Sequence, residues 1–279
     1  MTKTVGLICW LISIHSFGQY KSETFKDAST SGSATMHIHY FDVTYFSEEK
    51  NGIPAGINID IVQDFVAYVR DKKKITLALK YYGSPEFKKL YDNVKNAEGL
   101  VMGMGAIAST EERKREIGMT KPYIIFYNVL VSHNQVPTLA RIEDIPDSFK
   151  GLTAYTMKGS MMEKALNQLK QKYYNDMDVK IFSSVKEYTA KTIADKNAFA
   201  YFMLPHYIEA VRTSKPIKRH PIADTEALSI SFIFPKNSGW VEVFDEFLNA
   251  DGGYTNSKRY KSILTKHMGE TGVKLLKMK

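Results

Sequence analysis

The chain has 279 residues, enough for one large domain or two modest ones with a real core. With 44% apolar, 24% charged and 12% aromatic residues, it is composed like a globular protein and unlike a disordered one. The formal charge of +8 comes from Lys and Arg interleaved with acids, with no basic arm, so no nucleic-acid partner is expected.

The first residues read as an address. Lys3 precedes an apolar run over 5–14, and Ser16 and Gly18 place small residues before a cut at Gln19. That layout predicts a signal peptide over 1–18, because the run is too short to span a bilayer as a mature helix. The single cysteine, Cys9, lies inside the run. A chain cut at Gln19 therefore has no disulfide to form and no thiol nucleophile, which suits an oxidising compartment such as the periplasm. The polar, Ser/Thr/Lys-rich stretch 19–35 reads as a flexible lead-in.

Strands and helices then alternate. "MHIHYFDV" has strand periodicity; Ile61, Val62, Phe65, Val66 and Val69 fall on one helical stripe; "ITLALKYY" is again strand-like. A short Gly-containing strand is expected over 100–105, a helix after Ser109, and a strand in "YNVLVS". A second series repeats the pattern. It has a strand over 152–157, a helical stripe of Met162, Ala165, Leu166 and Leu169, strand "DVKIF", a helix over 185–195 and strand "AFAYFML". "ALSISFIFP" reads as one strand, followed by helices over 241–248 and 258–268. Such alternation predicts an α/β protein with mostly parallel sheets.

Two helix starts share one design. Ser109-x-x-Glu112 and Ser160-x-x-Glu163 both have the spacing of a capping box after a strand, and a helix start can receive an anion. Ser184-x-x-Glu187 repeats the spacing, so capping alone is common and structural. What sets the first apart is Thr110 and Arg113, a hydroxyl and a guanidinium that can hold a carboxylate bidentately. The second has Lys158-Gly159-Ser160, where glycine lets the backbone approach a ligand.

The ordered motifs resemble the family 3 extracellular solute-binding proteins of amino-acid type. "GINIDIVQDFVAYV", "TEERKREIGMTKPY", "KGLTAYTMKGS" and "DGGYTNSKRYKSILTKHMG" follow that family's order over nearly the whole mature chain. Each motif is weak alone, and the ordered set is specific. The resemblance implies a two-lobed, type II periplasmic-binding fold, with lobe 1 over 36–127 and 229–279, lobe 2 over 130–228, and a two-strand hinge near Asn128 and Leu228. It also implies an export-dependent, monomeric binder of a small carboxylate ligand, served by an inner-membrane ABC permease. In that family the residues matching Arg113 and Thr110 grip the ligand carboxylate. A carbonyl near Ala106 or Ala108 meets an ammonium; Gly159, Ser160 and the Met161 N–H add donors; aromatics such as Tyr45 or Phe46 stack on the ligand, although core packing is an equal expectation for those two.

The sequence departs from the family where it has Leu204-Pro205-His206. Family members place an acid at the Leu204 position, where it takes the ammonium of an amino acid. A buried ammonium without that counter-charge is expensive. The ligand is therefore either an amino acid held differently, with His206 or Tyr201 as a neutral partner, or a carboxylate without an ammonium. Asn58 also replaces an acid, in a structural segment. A dehydratase on the same fold uses an acid at the Leu204 position, so an enzyme is the weaker alternative; a ligand-sensing module is the other. His37 and His39 share a strand face without supporting ligands, and no motif calls for a metal or cofactor.

Overall fold

The computed structural model describes residues 20–50 and 52–277; the signal-peptide assignment at 1–18 and Cys9 lie outside the described residues. The chain first lays down α1 (Phe25–Ser31), β1 (Ser33–Tyr40), the hairpin strands β2 (Glu48–Lys50) and β3 (Ile53–Ala55), and α2 (Ile57–Tyr68). Then come β4 (Thr76–Gly83), α3 (Phe87–Lys95), β5 (Val101–Met104), α4 (Glu111–Glu116) and β6 (Gly118–Met119). Strand β7 (Ile124–Phe126) leads to a second body. This comprises β8 (Asn128–His133), α5 (Ile145–Ser148), β9 (Thr153–Met157), α6 (Met161–Tyr173), β10 (Asp178–Phe182), α7 (Val185–Ala194), β11 (Ala198–Met203), α8 (Leu204–Arg212) and β12 (Ile217–Arg219). The chain returns through β13 (Leu228–Ile230) to β14 (Ile233–Phe234), α9 (Trp240–Asn249) and α10 (Lys258–Lys277).

Two five-stranded sheets result, in the orders β4-β1-β5-β14-β6 and β10-β9-β11-β8-β12. Each has a parallel trio extended by an antiparallel pair: β14 and β6 in the first, β8 and β12 in the second. Crossover helices pack on these sheets, giving the two-lobed α/β architecture. The two crossings between lobes lie side by side: β7 and β13 form their own antiparallel ribbon, with Phe126 opposite Leu228 and Ile124 opposite Ile230.

The first core forms where the α2 stripe (Ile57, Ile61, Val62, Phe65) meets the α9 stripe (Trp240, Val243, Phe244, Phe247). Phe65 and Phe244 have ring centroids 4.4 Å apart, and Phe232 lies 4.9 Å from Phe244. Each fully buried Phe contributes about 1.5–3 kcal/mol. The second core is simpler in pattern: β11 is buried along its whole length, as a strand covered on both faces must be.

Three expectations change. The segment 19–35, expected to be a flexible lead-in, carries α1. Thr24 and Asp27 close a reciprocal capping box, Gly32 ends the helix in the left-handed region, and Phe25 packs edge-on against Trp240 at 5.3 Å. Its apolar contacts were hidden by a polar average composition. "ALSISFIFP" is two strands in different sheets, because the intervening Ser231 N–H donates to Ile107 O (3.0 Å) and Phe232 N–H to Thr120 Oγ1 (3.1 Å). Helix α10 continues past residue 268 to Lys277 through a break at Gly269 (φ 69°). Its last stretch packs on α8 of the other lobe, where a Cβ on Gly272 would sit 3.3 Å from Ile208.

Candidate ligand-binding cleft

A cleft of ≈ 610 Å³ separates the lobes. Phe87, Tyr91, Thr110 and Arg113 line it from the first lobe, and Gly159, Ser160, Met161 and Glu163 from the second. At its floor a recess of ≈ 40 Å³ is bounded by Ala106, Ala108, Phe126, Asn128, Met157, Met162, Met203, Leu228 and Ile230, and shares Phe87, Arg113 and the 159–161 turn with the cleft. Of the ten residues singled out for ligand contact, Arg113, Thr110, Gly159, Ser160, Met161, Ala106 and Ala108 all border one or both spaces.

Arg113 is half-buried between the two spaces. One guanidinium nitrogen donates to Ala108 O at 2.9 Å, and the guanidinium carbon lies 4.9 Å from the centroid of the Phe87 ring. Burial lowers its pKa from the usual value, opposed by Tyr91 and Glu112 nearby, and an arginine so shifted remains a cation. Arg70, Arg141, Arg212, Arg219 and Arg259 each pair with an Asp or Glu. Among the described residues no carboxylate pairs with Arg113.

The capping frame at α4 is shifted by one residue from the expected Ser109 box. Ser109 stays extended because its N–H donates to Ser229 O (2.7 Å), so Thr110 becomes the cap and its Oγ1 accepts from the Arg113 N–H (3.2 Å). With six residues, α4 is too short to offer an anion site by its dipole; what it offers is the Arg113 side chain. Helix α6, with 13 residues, is capped by Ser160, whose Oγ accepts from Glu163 N–H (3.1 Å) and donates to Met157 O (2.6 Å). The Glu163 carboxylate reaches back to the Gly159 N–H (2.6 Å), and Gly159 supplies the positive φ of 72° that turns the strand into the helix. The Ser160 hydroxyl proton is thus engaged, and the donors left at this turn are the Met161 and Met162 N–H groups, as at any helix start.

Tyr45 and Phe46 do not border the cleft or the recess. Their carbonyls accept the Ile57 and Asn58 N–H groups at 2.8 and 2.9 Å, so the loop caps α2. Gly56 permits that approach, since a Cβ there would lie 2.5 Å from Phe46 O. Phe46 is sealed in the core beside Phe126, and Tyr45 crosses to the second lobe. Its hydroxyl donates to the Glu209 carboxylate and accepts from Arg212 at 2.9 Å. Leu204 is fully buried at the start of α8, and its neighbour Met203 borders the recess instead. Tyr201 spends its hydroxyl on Ala223 O (2.8 Å), and His206, buried with Nδ1 unpartnered, borders neither space.

Asn58 explains the missing acid of its motif. Its amide donates to Gly105 O (3.0 Å) and accepts from the Tyr123 hydroxyl (2.6 Å), tying α2 to the turn that presents Ala106 and Ala108. One residue escaped the sequence reading. Asn128, 1% exposed at the start of β8, borders the recess with Oδ1 unpartnered. Its place beside the hinge was legible; its facing was not. Among the described residues no three His, Cys, Asp or Glu side chains gather as a metal site, and no helix is long and apolar enough to cross a membrane.

No family model matches the sequence, and no curated protein matches it. Solved structures share the fold. The arginine-, lysine-, histidine-binding protein ArtJ from Geobacillus stearothermophilus aligns with a TM-score of 0.66 at 19% identity, over 87% of this chain and 100% of that one. The GluR0 ligand-binding core from Nostoc punctiforme, in complex with L-glutamate, aligns at 0.64 and 16% identity over 84% and 99%. The ancestral amino acid-binding protein AncCDT-1, a precursor of cyclohexadienyl dehydratase, aligns at 0.64 and 15% over 87% and 98%. At these identities the likeness defines the fold, the two-lobed type II periplasmic-binding architecture.

Proposed function

We propose that this protein is an exported, periplasmic solute-binding protein. It captures a small carboxylate-bearing solute, an amino acid or related organic acid, by closure of its two lobes and delivers it as a monomer to an inner-membrane ABC permease. The observation that carries this reading is Arg113, a half-buried guanidinium in the cleft with no carboxylate partner among the described residues, opposite the α6 start. A desolvated cation held in place by one carbonyl and one ring is poised for a carboxylate, which it can take bidentately. Thr110, Gly159, Ser160, Met161 and the Ala106–Ala108 segment shape the same space, and both lobes contribute, so a bound solute favours the closed arrangement. The fold's uptake role is the resemblance stated above, and the amino-acid ligands of the structural relatives are in keeping with it. Leu204 carries no ionisable group, which weighs against a dehydratase.

A thermal-shift screen of amino acids, keto acids and dicarboxylates on the mature chain tests the reading. A cognate ligand at a hundred times its Kd stabilises by about 2.7 kcal/mol. Arg113→Ala is expected to fold and to lose that stabilisation, with affinity down at least ~100-fold for two lost charge-assisted bonds. Normal stabilisation of Arg113→Ala by the same ligand would show the anchor to be elsewhere.

A further inference from the structure

Beside Arg113 the recess is bordered by a buried side chain, Asn128, whose Oδ1 has no partner among the described residues. Both backbone groups of Asn128 are taken by Thr225: the Asn128 N–H donates to Thr225 Oγ1 (2.9 Å), and the Thr225 N–H donates to Asn128 O (3.0 Å). Its carboxamide Oδ1 has no hydrogen-bond partner among the described residues, although Asn128 is 1% exposed and Oδ1 is sealed from bulk solvent. Buried polar groups are otherwise almost always paired, so an orphan at the floor of a ligand space points to a ligand atom.

The surroundings say what kind of atom. Met157, Met162, Met203 and Ile230 give the recess thioether and hydrocarbon walls, and no acid borders it. The carboxylates of this region, Glu112, Glu116 and Glu163, line the outer cleft. An ammonium at the floor would lose its hydration without gaining a counter-charge, which is strongly unfavourable. The unpartnered Oδ1 is an acceptor, so the neutral group that satisfies it is a hydroxyl donor. The recess, at ≈ 40 Å³, has room for roughly three atoms of water size.

We propose that Asn128 and the methionine-lined recess select a carboxylate whose second polar group is an uncharged donor, a 2-hydroxy acid with a short apolar chain, over the matching 2-amino acid. This rests on the reading of Arg113 as the carboxylate anchor. A site built to pair one polar group rejects the analogue that lacks it, and rejects more strongly one that brings an unpaired charge.

The test is isothermal titration of the mature chain with 2-hydroxybutanoate, 2-oxobutanoate, butanoate and 2-aminobutanoate. The expected order has the hydroxy acid at least tenfold tighter than butanoate and 2-oxobutanoate, and 2-aminobutanoate weakest. Asn128→Asp is expected to reverse the preference toward 2-aminobutanoate, and Asn128→Leu to level butanoate with the hydroxy acid. Binding of 2-aminobutanoate to the unmodified protein as tight as that of the hydroxy acid overturns the inference, and so does failure of all four acids. If that happens while Arg113→Ala still abolishes binding of another carboxylate, the anchor stands and only the role of Asn128 falls. If binding of the hydroxy acid is indifferent to Arg113→Ala, the anchor itself falls. The comparison of four ligands on the unmodified chain needs no variant to fold.

Discussion

Tyr45→Phe removes one oxygen atom and isolates the contact between lobes. The Tyr45 hydroxyl donates to the Glu209 carboxylate and accepts from Arg212 at 2.9 Å, while Arg212 also stands over the Tyr45 ring at 5.5 Å. Burial, then the bond to Glu209, raises the Tyr45 pKa well above its usual value, so the hydroxyl keeps its proton at any working pH. A hydrogen bond to a charged group is worth about 1.5–3 kcal/mol. Here the Glu209 and Arg212 side chains are 41% and 45% exposed and still pair with each other at 3.8 Å, so water and the ion pair recover part of the loss. The low end applies, about 1.5 kcal/mol. In a chain of this size that lowers Tm by about 3–6 °C. Calorimetry on Tyr45→Phe, Glu209→Gln and the double variant gives the cycle, with a coupling of about 1 kcal/mol expected between the sites. Ligand affinity at Arg113 should change little, because Tyr45 does not border the cleft. A Tm within about 1 °C of the parent, or strictly additive single variants, would refute the bridge.

Two other outcomes concern stability. Burial lowers the pKa of His206 to about 4 from 6.5, so the unfolded chain binds the extra proton between those values; the stability from keeping it neutral is complete above about 6.5 and lost as pH falls to 4. His206→Leu should therefore gain on the parent as pH drops, with the Tm difference rising by about 5–10 °C from pH 7 to pH 4.5, and a flat difference counts against this account. Phe25→Ala should cost about 2 kcal/mol, since Phe25 is only partly buried. It should also red-shift the emission of Trp240, which packs on Phe25 and donates its indole N–H to Glu23 O at 3.0 Å. Unshifted emission would mean that α1 does not cover the indole.

Much of the fold was legible because its stripes are long and regular. The α6 positions Met162, Ala165, Leu166 and Leu169 are all buried as the period required, and of the stripe from Ile61 to Val69 all are buried but Val66, which is partly so. Arg113 was legible from chemistry and spacing together: a helix start following a strand, with a hydroxyl and a guanidinium three residues apart. What stayed hidden depends on facing. Tyr45 and Asn128 each lie one residue from a differently directed neighbour, and only the hydrogen bonds of Ile57 and Thr225 decide where they point. The split of "ALSISFIFP" was invisible because apolar content is continuous across Ser231 and Phe232, while the partners that separate its halves, Ile107 and Thr120, are distant in sequence.

The β7–β13 ribbon has a mechanical consequence. Two crossings placed far apart would brace the bodies against each other, and a single crossing would act as a swivel. Here they are hydrogen-bonded side by side, with Ile125 opposite Ser229 midway along. Such a ribbon bends across its thickness far more readily than it shears along its length, so relative travel is confined to about one angular coordinate. On the function proposed above, closure brings Arg113 in one body and the Gly159–Ser160 turn in the other together along that one coordinate, and the gap between them gauges solute length.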